Sequence, residues 1–303
     1  MKKITLIVGL LTIAVGVSFA AQDSVCAGKV QKIATDFRFT EGPAWHPDGF
    51  IVFSDIPANT IYALKGGERE IYRRPSGQSN GLAFDAQGRL VACEHGNRRV
   101  SITRKDGDIE PLVTEYAGKR LNSPNDLAIH SGGAIYFTDP PYGVPQNQRE
   151  LDFQGVYRIG ADGELALLVK DFNRPNGLAL SPDESVLYVA DTQEDWVRAF
   201  DVKEDGTLAN GRVLARGENL HPDGMKVDVE GNLYVTGAGG VWVFGPDGEH
   251  LETIETPERP ANTGFGGPGR RTLYITARTS IYKVRLKNAG ATLQYRRKQA
   301  EEE

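Results

Sequence analysis

One short pattern recurs six times along the chain, and this repeat constrains the fold more than any other feature. Each copy begins with a polar and a small residue, continues through an apolar pair and a turn, and ends in a second apolar run. Successive copies start 39, 45, 51, 47 and 39 residues apart, which matches the about 40–50 residues of a four-stranded β-propeller blade. The copies are EGPAWHPDGFIVFSD from Glu41, NGLAFDAQGRLVACE from Asn80, NDLAIHSGGAIYFTD from Asn125, NGLALSPDESVLYVAD from Asn176, DGMKVDVEGNLYVTG from Asp223 and NTGFGGPGRRTLYITA from Asn262.

The pattern predicts an all-β protein. Each copy contains two short β-rich runs joined by a turn, and a third run follows it, such as TIYAL or GVWVF. A single blade cannot bury both of its faces, so six blades are expected to close into a six-bladed β-propeller. An open β-solenoid is the alternative, but the repeat length favours the propeller. Val30 to Phe37 is predicted to supply the outer strand of the last blade and so close the ring.

The first residues are predicted to be a secretory signal, residues 1–21, followed by a single propeller domain over residues 22–303. Lys2 and Lys3 precede an apolar run from Ile4 to Val17, and small residues end at Ala21. An uncleaved anchor is disfavoured because the run is shorter than the ~20 residues that a membrane span needs. The mature protein is therefore expected in the periplasm or outside the cell.

Composition excludes several functional classes. The net charge is −5 and 40% of residues are hydrophobic, values of an ordinary globular protein without the basic footprint that nucleic acids require. We expect no nucleic-acid partner, no membrane association after signal cleavage and no protein partner. The two cysteines, Cys26 and Cys93, are too few for a cysteine zinc site and are expected to be free or fortuitously paired.

The first residues of the six copies share one chemical property, since all carry a side-chain oxygen. In a propeller they should lie together where the innermost strands border the central channel. Oxygen ligands that converge from several blades suit a hard cation, which favours calcium and leaves magnesium and manganese open. Turn preference explains a single Asn-Gly step, but is a weaker explanation for six polar residues at one position.

A second polar layer lies fourteen or fifteen positions after each first residue. If these residues cap the strand that runs the other way, they belong at the opposite end of the channel or in the turn between strands. A structural role is predicted, with carboxylates that accept hydrogen bonds from loop N–H groups between blades. The layer comprises Asp55, Glu94, Asp139, Asp191, Gly237 and Ala277.

At these residues the chain resembles the regucalcin/gluconolactonase family, in its bacterial gluconolactonase-like branch. The similarity extends from about Phe39 to Leu286 and includes FTEGPAW, QSNGLAFD, CEHGNRRV, KRLNSPNDLAI, AIYFTDPPYG, RPNGLALSPDE and HPDGMKVDVEGNLYVT in that order. The resemblance implies a six-bladed propeller with one divalent metal ion in its channel. Calcium is the usual ion, and zinc, manganese or magnesium are alternatives.

The resemblance also implies roles for individual residues. Glu41, Asn176 and Asp223 match the family's metal ligands, and Asp223 matches the residue that accepts and donates a proton. Asn125 matches a residue at the metal or against the substrate. Family members of the regucalcin type carry an arginine where this chain has Ser123, which leaves the sugar specificity open.

These residues support a hypothesis of metal-dependent hydrolysis of a sugar lactone. Asp223 would act as general base and acid on water, and His95 and Tyr142 would contact sugar hydroxyls near the channel mouth. Two alternatives stay open: a calcium-dependent phosphotriester or organophosphate hydrolase, and a non-catalytic propeller that binds calcium or another ligand. An acyl-enzyme route has no support, because the chain lacks a G-x-S-x-G element.

Overall fold

A computed structural model describes residues 24–104 and 106–291 and confirms the all-β, six-bladed architecture. Six four-stranded antiparallel sheets form the blades, and one additional two-stranded hairpin lies between the second and third. Within the described ranges the only helical segments are two 3-10 turns, Gln146–Gln148 and Pro268–Arg270. The predicted signal, residues 1–21, and the charged tail from Arg296 lie outside these ranges.

Each blade follows the repeat, with its innermost strand first. The first begins at the first repeat copy, after a strand β1 (Gln31–Ala34) that belongs to the last blade. Blades one to three are β2 (Thr40–Trp45), β3 (Ile51–Asp55), β4 (Thr60–Lys65) and β5 (Glu68–Arg73); β6 (Ser79–Phe84), β7 (Leu90–Glu94), β8 (Arg99–Thr103) and β9 (Ile109–Val113); and, after the hairpin β10 (Glu115–Tyr116) and β11 (Lys119–Arg120), β12 (Leu127–Ile129), β13 (Ile135–Asp139), β14 (Gly155–Ile159) and β15 (Leu165–Val169). Blades four to six are β16 (Pro175–Leu180), β17 (Val186–Asp191), β18 (Trp196–Val202) and β19 (Leu208–Arg216); β20 (Met225–Val227), β21 (Leu233–Gly237), β22 (Gly240–Phe244) and β23 (His250–Glu255); and β24 (Asn262–Gly266), β25 (Thr272–Ala277) and β26 (Ser280–Arg285).

The ring closes as the sequence predicts. The innermost strands β2, β6, β12, β16, β20 and β24 lie beside one another around the axis, and β24 also contacts β2. Strand β1 pairs antiparallel with β26, with Gln31 opposite Lys283, and so becomes the fourth strand of blade six. The last blade therefore combines strands from the two ends of the described chain, and this pairing closes the ring at six blades.

Apolar side chains from neighbouring blades form the core. Val91 of blade two packs in one cluster with Phe137 of blade three, and Tyr234 of blade five packs with Ile275 of blade six. All four side chains are fully buried, and each such burial contributes about 1.5–3 kcal/mol. Apolar side chains on the faces of the sheets thus pack neighbouring blades together, and the innermost strands line the channel.

Both cysteines are free, as expected. Cys93 is buried in β7, and Cys26 lies near the N-terminal end of the described chain with its Sγ 3.6 Å from a carboxylate oxygen of Glu252. Among the described residues, no helix has the length and apolar character needed to cross a membrane.

Candidate functional site

The first residues of the six repeats all lie at one end of the channel, which we call the ring end. Glu41, Asn80, Asn176 and Asn262 are the first or second residue of their innermost strands, while Asn125 and Asp223 lie two residues before β12 and β20. Backbone hydrogen bonds link neighbouring blades here: Gly81 donates its N–H to the Asn125 carbonyl at 2.8 Å. The predicted convergence is therefore a consequence of six strands that start at the same height.

Glycine follows most ring residues because the innermost strands approach one another closely. A Cβ on Gly177 would lie 2.3 Å from the carbonyl oxygen of Asp223, and one on Gly224 would lie 2.0 Å from the Asn262 side chain. Such distances exclude any side chain without movement of the backbone. The Asn-Gly and Asp-Gly steps thus serve strand packing around the axis rather than tight turns.

Three carboxylates occupy the ring end. Glu41 is 3% exposed and Asp126 2% exposed, whereas Asp223 is only partly buried. Burial raises the pKa of Glu41 well above its ordinary value, and the charge of Asp223 raises it further. Burial also raises the pKa of Asp223 to about 7, while the neighbouring Asn176 amide and the charge of Arg259 lower it. Loss of hydration is the main physical cause, and repulsion between the carboxylates adds to it.

Asn262 connects two of these carboxylates. Its Nδ2 donates to Asp126 Oδ2 at 3.1 Å, and its amide also lowers the pKa of Glu41 as a hydrogen-bond donor. Its Oδ1 accepts the Thr263 N–H at 2.8 Å, which fixes the orientation of the amide. Asn262 is therefore a donor to carboxylates in this structure.

Asn176 joins the ring to the predicted substrate residues. Its Nδ2 donates to the Tyr142 hydroxyl at 3.2 Å and to Thr192 Oγ1 at 3.0 Å. The Tyr142 and His95 rings are stacked with centroids 6.4 Å apart, and His95 Nε2 lies 3.3 Å from Asn80 Nδ2. Burial lowers the pKa of His95 to about 4, so its imidazole is neutral near pH 7.

The remaining predicted residues lie at different depths. Asn125 is a ring residue, 3% exposed. Ser123 is fully buried, donates its N–H to Asp139 Oδ1 at 2.7 Å, and has a hydroxyl without a hydrogen-bond partner. Outside this predicted set, Trp45 at the far end of β2 lines a cavity of about 170 Å³ at the opposite end of the channel.

The second polar layer has the structural role predicted for it, but the register places it beside the ring. Asp55 lies opposite Thr40 and Glu94 opposite Ser79. Of the two predicted locations for this layer, the opposite end of the channel is therefore wrong, and the turn that follows the second strand of each blade is right. Each hairpin returns its strand to the level where it began, so residues fourteen positions apart become neighbours. Asp139 illustrates the structural role, because it accepts hydrogen bonds from the N–H groups of Asn122 and Ser123, both at 2.7 Å. These hydrogen bonds lie within its own blade, not between blades as predicted.

The donor set fits a hard divalent cation. No ion pair joins Glu41 or Asp223 to a basic side chain in the described ranges, and Asn80 Oδ1 is a buried acceptor without a partner. Carboxylate and amide oxygens are what calcium and magnesium prefer. In these same ranges no three His, Cys, Asp or Glu side chains are arranged to hold a metal, so a site here would depend on amide oxygens as well as carboxylates.

Sequence reasoning missed three charged residues at the ring end: Asp126, Arg174 and Arg259. Asp126 occupies the position at which four other copies have glycine, and this departure from the repeat was a usable signal. It fits because Gly81 faces it; a Cβ there would lie 2.5 Å from Asp126 Oδ1. The arginines precede innermost strands in loops of variable sequence, where the repeat gives no signal.

Comparisons with known proteins agree with this architecture. A family model described as the SMP-30/gluconolactonase/LRE-like region matches residues 39–279. A gluconolactonase from Zymomonas mobilis is 36% identical over 301 aligned positions, which cover 86% of this chain and 82% of that protein. A 6-deoxy-6-sulfogluconolactonase from Pseudomonas putida is 35% identical over 247 positions, with coverage of 78% and 82%.

Solved structures show the same propeller. A gluconolactonase from Xanthomonas campestris superimposes with a TM-score of 0.80 at 37% identity, over 86% of this chain and 89% of that one. A calcium-binding regucalcin from Agrobacterium tumefaciens has a TM-score of 0.74 at 19% identity, over 88% and 95%, and supports the fold alone.

Proposed function

Because the chain belongs to the SMP-30/gluconolactonase/LRE-like family, we propose that it is a lactonase, a carboxylic ester hydrolase that opens sugar lactones with the help of a divalent metal ion. The observation that carries this proposal is the convergence of Glu41, Asn176 and Asp223 at the ring end of a closed propeller. The small-molecule substrate would enter at this end.

Glu41, Asn176 and Asp223 would hold the ion. We propose calcium, with zinc, manganese or magnesium as alternatives, because all three ligands offer oxygen atoms. When bound, such an ion supplies a Lewis acid that polarises the lactone carbonyl and stabilises negative charge on its oxygen. Glu41 and Asp223 are suited to binding the ion because their negative charges repel each other, which adds to the effect of burial on the pKa of Glu41.

Asp223 would move the proton. It is the least buried of the three ring-end carboxylates, so a water molecule from the channel mouth can approach it. One carboxylate oxygen would accept a proton from the attacking water, and the same oxygen would return it to the ring oxygen that leaves as an alkoxide. Glu41 is too enclosed for this exchange.

The other predicted residues would orient the lactone. Tyr142 and His95 present hydroxyl and imidazole groups beside Asn176 and Asn80, and would bind sugar hydroxyls. Asn125 would orient the ring or complete the coordination of the ion. Ser123 is buried, so a direct contact with the sugar requires its surroundings to move, and we assign it the weakest role.

The cellular setting is also a proposal. We propose that residues 1–21 are removed as a signal peptide, that residues 22–303 form one propeller domain, and that the mature protein works in the periplasm or outside the cell. The basis is the basic start, apolar run and small residues of the N-terminus. N-terminal sequencing of protein from a periplasmic extract tests this directly.

The decisive test is hydrolysis of glucono-1,5-lactone by the mature protein, after chelation and after each metal is restored, with the uncatalysed rate subtracted. We expect turnover that returns with the metal, calorimetric binding of one ion per chain, and loss of both in Glu41→Ala. Asp223→Asn should lower kcat at least a hundredfold. Metal binding without turnover of glucono-1,5-lactone would refute gluconolactonase activity, and absence of metal binding would refute the site.

A further inference from the structure

Two arginines flank Asp223 at the ring end without a carboxylate partner. Arg174 precedes β16 of blade four, and Arg259 precedes β24 of blade six, on either side of blade five. Neither side chain forms an ion pair with any residue in the described part of the chain. Both guanidinium groups are therefore available to a ligand at this end of the channel.

Arg174 is held in a geometry that suits an oxyanion. Its guanidinium carbon lies 5.3 Å from the centroid of the Tyr142 ring, and the Tyr142 hydroxyl accepts a hydrogen bond from Asn176 at 3.2 Å. Its Nε is buried and has no hydrogen-bond partner. A guanidinium that rests on an aromatic ring keeps its planar N–H edges available for bidentate contact with a carboxylate, sulfonate or phosphate.

Arg259 adds a second positive charge near the same centre. Among the described residues its one side-chain hydrogen bond runs from Nη2 to the carbonyl of His221 at 3.4 Å, two residues before Asp223 in the chain. This hydrogen bond is long, and the side chain is exposed. It can therefore turn towards a bound ligand at little cost.

We propose that Arg174 and Arg259 bind an anionic substituent of the substrate, so that the preferred class is sugar lactones that carry a carboxylate, sulfonate or phosphate outside the lactone ring. This inference rests on the proposed lactonase function. The positively charged contact with the substrate would then come from blades four and six, because Ser123 of blade three is buried and uncharged.

The test compares two probes, neutral glucono-1,5-lactone and anionic 6-phosphoglucono-1,5-lactone. We expect kcat/KM of the wild type to be at least tenfold higher for the anionic lactone. The double variant Arg174→Gln/Arg259→Gln should bring that ratio to about one, chiefly through KM. Arg174→Lys should retain part of the preference, because it keeps the charge but loses the planar fork. Arg278→Gln, an exposed arginine after β25 at the same end, is the matched control and should leave the ratio unchanged.

A binding measurement separates this inference from the proposed function. Calorimetry should show that 6-phosphogluconate binds the wild type at least tenfold more tightly than gluconate, and that the double variant, checked by circular dichroism for its fold, loses the difference. Turnover of the neutral lactone with no preference for the anionic probes would overturn the inference and leave the lactonase intact. Arginine-dependent binding of 6-phosphogluconate without turnover of either lactone would support the anion site and refute the lactonase.

Discussion

Glu94 is the residue whose replacement should destabilise the propeller most clearly. It is fully buried at the end of β7 and accepts hydrogen bonds from Arg73, Arg99, Ser101 and Asn97. Burial alone would raise its pKa, but these donors hold the pKa below its ordinary value. The Arg73 side chain is only 6% exposed, so loss of the carboxylate leaves a buried cation uncompensated.

We expect Glu94→Gln to lower the free energy of unfolding by about 3 kcal/mol, the lower end of the 3–5 kcal/mol typical for a broken buried ion pair. The lower end applies because Arg73 keeps its hydrogen bond to the Ser76 carbonyl at 3.2 Å. Urea denaturation followed by tryptophan fluorescence measures the change, and the melting temperature should fall by about 6–12 °C.

Glu110→Gln is the matched control, because Glu110 pairs with Arg104 where both side chains are nearly half exposed. Such an exposed pair contributes little to stability, because solvent and salt screen it. A loss in Glu94→Gln no larger than the loss in Glu110→Gln would refute the structural role that we assign to the second polar layer.

Three further perturbations test other parts of the structure. Gly177→Ala should destabilise the fold by about 1–3 kcal/mol, since its Cβ would lie 2.3 Å from the Asp223 carbonyl, whereas Gly28→Ala, with 3.5 Å to its nearest neighbour, should change little in a thermal melt. Burial raises the pKa of Glu258, yet hydrogen bonds from Ser280 and Thr279 lower it to about 2. The contribution of this carboxylate to folding stability is therefore present above pH 4.5 and is lost as the pH falls towards 2. In urea titrations, Glu258→Gln should cost about 1 kcal/mol at pH 7 and nearly nothing at pH 2. Burial lowers the pKa of His95 from 6.5 to about 4, so wild-type stability should fall by about 2 kcal/mol between pH 6.5 and pH 4 relative to His95→Gln, and parallel pH profiles of the two proteins would contradict this assignment.

The sequence predicted the blades well because each blade is a local unit. The two runs of a repeat pair with each other, so the apolar run from Ile51 to Phe53 and the turn before it were enough to indicate a hairpin. The closing strand β1 was also predicted, because a six-blade ring with three strands in its last copy lacks one strand. These predictions depend on spacing along the chain, which the sequence displays directly.

Interactions between blades were harder to predict. The contact of Asn262 with Asp126 joins residues 136 positions apart, and no local pattern indicates it. The error over the height of Asp55 and Glu94 came from treating successive strands as separate elements rather than as a hairpin that returns to its start. Arg174 and Arg259 lie outside the repeat, so only the folded arrangement brings them to Asp223.

The composition of the ring follows from what a narrow channel can tolerate. Burial raises the pKa of Glu41, Asp126 and Asp223, and neighbouring carboxylates raise those of Glu41 and Asp223 further, so each additional negative charge at this position is costly. Six carboxylates at this position would be protonated or would prevent the innermost strands from approaching. Amides at Asn80, Asn125, Asn176 and Asn262 offer the same oxygen chemistry without charge, and their NH₂ groups donate to neighbours, as Asn262 does to Asp126. The ring thus combines negative charge that suits the divalent ion proposed above with neutral amides that limit the repulsion between carboxylates.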